Sequence, residues 1–154
     1  MKKLILAILL LTVTLTAYSQ NVKPDSILEN DYSSNYLGTW SWKKKNDKFR
    51  LNLIKANLTN GIRLITGSYL YIVNSKEVVN ASMEDGTFWI LGDIPRNSTV
   101  LTIAVIDKLS GKQANATLTL LDNNTIKWKL TNAGVRGQDS SFSIPSDITL
   151  IKHN

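Results

Sequence analysis

The chain has no cysteine, so disulfides and thiol chemistry play no part in it. Its single histidine, His153, is the penultimate residue, a position where chains fray. Ser-His-Asp and Cys-His catalysis therefore lack a placed base, and zinc sites built from Cys and His lack ligands. The missing cysteine also removes the acceptor for a lipoprotein anchor. Long apolar runs are scarce: beyond the first residues no segment reaches the roughly 20 residues of a membrane-spanning helix. Nor is there a strong charge of one sign. The formal net charge is +6, and its only basic run is Lys43-Lys44-Lys45, with Lys48 and Arg50 just beyond. A nucleic-acid surface shows a denser basic stripe with interleaved aromatics, so this run reads as a solvated hairpin tip.

What is present starts with an address. Lys2 and Lys3 precede the apolar run Leu4–Leu11, and Ala17-Tyr18-Ser19 places small residues before Gln20. A charged start, a short apolar core and an A-x-S site predict a secretory signal peptide over 1–19. Its removal leaves roughly 135 residues, one domain by size, exported without a membrane anchor to the periplasm or beyond the cell. Residues 20–35 are polar, contain Pro24, and read as a flexible leader ending in a short turn.

From Tyr36 onward the pattern has period two, the signature of strands with one face on a core. Tyr36, Gly38, Trp40 and Trp42 share a face; Phe49, Leu51 and Leu53 share another, as do Ile126, Trp128 and Leu130. Tyr69–Val73, Phe88–Leu91, Val100–Ile106 and Leu118–Leu121 read as strands apolar on both faces. Turn residues bracket these segments, among them Asn60-Gly61, Asn74-Ser75, Ser110-Gly111 and Asp122-Asn123-Asn124. The expectation is an all-β, antiparallel meander of eight or nine strands over 36–154. A last strand around Ile148 and Leu150 would close it as a β-barrel, the alternative being a β-sandwich. The Gly- and Ser-rich stretch Asn132–Pro145 is longer than an ordinary hairpin loop.

Asn35-Tyr36-Leu37-Gly38-Thr39-Trp40 resembles the Gly-x-Trp start of the lipocalin superfamily, whose fold is an eight-stranded up-and-down barrel. The resemblance implies structural roles: Gly38 permits a tight turn, Trp40 plugs one end, and a basic side chain packs over it. Arg136 and Lys152 are the candidates for that basic side chain. No Thr-Asp-Tyr counterpart to the second lipocalin motif is present. The layout is also similar to a family of uncharacterised exported proteins from Bacteroidota. Those carry a signal ending in Ser-Gln, an early Gly-Thr-Trp, and a closing segment such as Phe142–Pro145 through Leu150–Lys152. That likeness brings no activity with it.

The acidic residues fall mostly in predicted turns, where they cap backbone groups. Glu84-Asp85 with Asp93, flanking Phe88-Trp89, is the one arrangement that suggests a carboxylate-dependent, glycosidase-like enzyme. Asp122-Asn123-Asn124 lacks the spacing of a calcium loop and reads as a hairpin turn. No cofactor or metal is expected. The reading is a non-enzymatic module that binds a small apolar ligand in the barrel, gated by the Asn132–Pro145 loop. Alternation turns Trp42, Tyr69, Tyr71, Trp89 and Trp128 inward as its lining. The alternative is a surface that binds another protein or an acidic polymer through the Lys43–Arg50 hairpin.

Overall fold

Alternating side chains become extended ribbons wherever a shared interior exists to receive one face. The computed structural model describes residues 32–58, 62–83, 87–95, 99–132 and 141–153. A single 3-10 turn over Ser33–Asn35 leads into the strands. In order they are β1 (Gly38–Lys44), β2 (Asp47–Asn57), β3 (Arg63–Val73), β4 (Lys76–Ala81) and β5 (Ile90–Asp93). β6 (Val100–Ile106), β7 (Gln113–Asp122), β8 (Thr125–Asn132) and β9 (Asp147–His153) complete the set. No helix among the described residues is long and apolar enough to cross a membrane.

Every pairing is antiparallel, and β9 returns to pair with β1 through Thr39↔His153 and Ser41↔Ile151. The result is a closed eight-stranded barrel, consistent with the lipocalin-like expectation, rather than a two-sheet sandwich. One strand is extra. β3 pairs along its length with β2, but its other edge serves β5 at Leu64–Gly67 and β4 at Tyr69–Val73. β4 is therefore a flap beside the eight-membered ring.

Gly67 stands where β3 changes partners. A Cβ there would lie 2.1 Å from the Asn52 carbonyl oxygen, so only glycine admits this close approach to β2.

The inner face is dense. The register Trp40↔Leu51, Trp42↔Phe49, Phe49↔Tyr71 and Leu51↔Tyr69 puts these side chains on one side of the sheet. Trp40, Trp128, Tyr36, Phe49, Leu51, Leu53, Ile65 and Ile126 are fully buried. Each such apolar side chain contributes about 1.5–3 kcal/mol on leaving water.

Three segments depart from the sequence reading. Val100–Ile106 alternates cleanly between exposed and buried, so its outer apolar positions face solvent, as does Leu121 at 58 % exposure. Phe88 lies before β5 rather than in it and is 43 % exposed. The signal peptide, all but the last four leader residues, Glu84, Asp85 and Arg136 lie outside the described residues.

Candidate functional site

The register gives the barrel two unlike ends. At the lower end gather Gly38, the β7–β8 turn and the end of β9, with the Lys152 amide donating to the Asn124 carbonyl. At the upper end gather the β1–β2 and β3–β4 turns, the β6–β7 turn and the residues before β9. There the Ser75 amide donates to the Asn46 carbonyl and the Leu130 amide to that of Ser146.

Trp40 plugs the lower end. Gly38 holds φ at 109°, a conformation that disfavours side chains, and releases the chain into β1. Trp40 is wholly buried, its indole N–H donating to the Tyr36 carbonyl at 2.7 Å. Lys152, its cross-strand partner, sets its ammonium 5.1 Å from the indole centroid, a cation over an aromatic face. Of the two basic candidates, Lys152 occupies this position. Burial pushes the Tyr36 phenol up to about 12.

The upper end is aromatic and only partly covered. Phe49 is the centre of its cluster, with ring centroids 6.1 Å from Tyr69, 6.2 Å from Tyr71 and 5.5 Å from Trp128. These spacings fall in the range of favourable aromatic pairs. Tyr69 and Trp128 are its buried floor. The Trp128 indole N–H donates to the Pro145 carbonyl at 2.9 Å. The Tyr69 hydroxyl donates to the Ile106 carbonyl at 2.8 Å and accepts from the Lys108 amide at 2.7 Å. Burial raises the Tyr69 phenol to about 12.

Trp42, Tyr71 and Trp89 pack against this core but stay partly exposed, as does Phe142. Of the five sequence-predicted lining residues, Tyr69, Tyr71 and Trp128 meet around Phe49, and Trp42 is the cross-strand partner of Phe49. Trp89 stands apart, on the far side of a seam between β4 and the β6–β7 turn. Its indole N–H donates to the Ser82 carbonyl at 2.9 Å. The Lys108 ammonium lies 5.0 Å from its ring and donates to the Asn80 carbonyl at 2.9 Å.

With this geometry in place, the comparison with known proteins gives one match. Residues 1–153 match the model of a family of unknown function, DUF6705. The chain belongs to that family. No curated protein and no solved structure matches it. The family therefore supplies kinship along the whole chain and leaves the function to the geometry.

One residue escaped the sequence reading. Asp107, in the β6–β7 turn, is a fully buried carboxylate. It accepts from the Ser143 amide at 2.6 Å, from the Ser143 hydroxyl, and from the Leu109 and Ser110 amides at 3.2 and 3.4 Å. It thus ties the β6–β7 turn to the segment ahead of β9. Burial pushes its carboxyl up, but the hydrogen bonds from Ser143 and Ser110 outweigh this and hold it below the usual carboxylate range. The Asp-Lys-Leu-Ser-Gly run announces a turn acid. Nothing local announces its partner 36 residues away.

Of the proposed acidic cluster only Asp93 is described, exposed at the end of β5. Among the described residues no group of three His, Cys, Asp or Glu is placed to hold a metal.

Proposed function

We propose that this is an exported, non-enzymatic binding protein of a Bacteroidota organism, taking a small apolar ligand at the upper rim of its barrel. The observation that carries the reading is the asymmetry of the ends. Trp40, Tyr36 and Lys152 close one, while Trp42, Tyr71 and Phe142 offer partly exposed aromatic surface at the other. Tyr69 and Trp128 provide a rigid floor, because each is pinned by a backbone hydrogen bond. A ligand settling there removes its own apolar surface and that of the rim from water, at about 25 cal/mol per Å². Export rests on the charged, apolar and small-residue signature of residues 1–19. A non-enzymatic role rests on the lone histidine and on Asp107, whose oxygens are occupied by backbone and hydroxyl donors.

Titration with a neutral aromatic probe such as N-phenyl-1-naphthylamine, followed by tryptophan emission, tests the reading. Saturable binding is expected, weakened at least about ten-fold in Trp42→Ala or Tyr71→Ala, equivalent to about 1.4 kcal/mol. A folded protein that ignores this probe and a panel of neutral lipids overturns the reading.

A further inference from the structure

The barrel wall carries a concavity on its outside. It has a volume of about 290 Å³ and is bounded by outward residues of β1, β2, β3 and the end of β9, and by Trp42 and Phe49 of the inward face. Two cross-strand rows form it. In one, Ser41 faces Arg50, which faces Leu70; in the next, Lys43 faces Lys48, which faces Ile72. His153 borders the first row, its Nε2 within 2.5 Å of the Ser41 hydroxyl.

Two features of these rows are unusual for a solvated wall. Outward positions on a barrel are ordinarily polar, as Ser68 is one step down β3, yet Leu70 and Ile72 are aliphatic and half-buried. Their cross-strand neighbours Arg50 and Lys48 have long apolar stems that cover such surface while their charged heads stay in water. The second feature is charge. Lys43, Lys48 and Arg50 form no salt bridge or side-chain hydrogen bond with any described residue. No carboxylate lines the concavity. Glu77 follows Ile72 outward on β4, and Asp47 at the hairpin accepts from the Asn74 amide at 2.9 Å.

An apolar floor of two branched side chains beside three uncompensated cations matches one chemistry. We infer that this outer concavity binds a small organic anion, a carboxylate carried on a short aliphatic or aromatic body. The body lies along Leu70 and Ile72. The carboxylate meets Arg50 and Lys48, with the guanidinium able to take both oxygens. Ser41 and His153 supply a polar border on the β1–β9 side. The volume lies just below the range of about 300–1,000 Å³ for ligand pockets, which limits the body to a single short chain or ring. The site adjoins the upper rim at Trp42 and Phe49, but its two rows point outward, whereas Tyr69, Tyr71 and Trp128 point inward.

The test is isothermal titration and amide shift mapping of the purified protein with octanoate, 1-octanol and acetate. Octanoate is expected to bind saturably, with shifts centred on Ser41, Leu70, Ile72 and His153. Octanol and acetate are each expected to bind at least ten-fold more weakly. Raising the salt from 0.05 to 0.5 M weakens octanoate several-fold, because exposed cations are screened within about 10 Å at 0.1 M. Arg50→Gln combined with Lys48→Gln, both exposed and without structural partners, lowers octanoate affinity at least ten-fold. Tyr71→Ala at the upper rim leaves it unchanged.

Equal binding of octanol and octanoate overturns the inference, since charge would not then be read. Equal binding of acetate overturns it too, since the apolar floor would be idle. So does an unaltered affinity in the double variant, or no octanoate binding at millimolar concentration. Failure of the neutral aromatic probe bears only on the upper rim.

Discussion

Asp107 shows how much one buried side chain decides. With the segment before β9 anchored on its oxygens, Asp107→Asn keeps the shape but loses the charge and turns one acceptor into a donor facing amide donors. A loss of about 1–3 kcal/mol in urea unfolding is expected. Its folded-state pKa lies below the unfolded value of about 3.9, so its contribution is complete at neutral pH. That contribution disappears as pH falls below about 4, and the variant should lose this acid-side dependence. The tyrosines act in the opposite direction. Tyr36 and Tyr69 are raised to about 12 by burial, against an ordinary value near 10. The stability linked to their neutral form is full below pH 10 and drains away as pH climbs from 10 towards 12. Alkaline titration followed by absorbance should show two phenols ionising only as the fold opens.

Among the elements, β3 and β4 separate what alternation reveals from what it conceals. β1 and β8 were legible because Trp40 and Trp42, or Ile126, Trp128 and Leu130, mark one face without interruption. β4 was not: its six residues place only Val79 and Ala81 inside, and a bulge between Tyr71 and Ile72 shifts its register. The lower half of β3 lay outside the strand read over Tyr69–Val73, because Thr66, Gly67 and Ser68 carry no apolar alternation, and the closeness of β2 explains the glycine. Gly67→Ala drives a methyl into the Asn52 carbonyl, and a loss of about 1–3 kcal/mol in thermal or urea unfolding is expected. Because β4 pairs only with β3, its amides should exchange with deuterium ahead of those of Thr39–Ser41 in β1, which are paired on both sides.

At the scale of the whole molecule, closure by β9 on β1 followed from the sequence, since a meander of this length in water must dispose of its edges. The aromatic upper end was half legible. Period two turned Trp42, Tyr69, Tyr71 and Trp128 inward, but it gave neither their exposure nor their meeting at Phe49, which depend on register between strands. The outer concavity was illegible, because Leu70 and Ile72 gain meaning only beside Arg50 and Lys48 on another strand. One consequence reaches past binding. Around most of the ring neighbouring strands are joined by long ladders, whereas on the upper rim, among the described residues, β4 is tied to the β6–β7 turn by the Lys108 ammonium on the Asn80 carbonyl, with the Trp89 ring beneath that ammonium. A hoop slit along one margin gives way at the slit. Under tension or heat this wall should part first between Asn80 and Lys108, and the rest of the circumference should keep its shape.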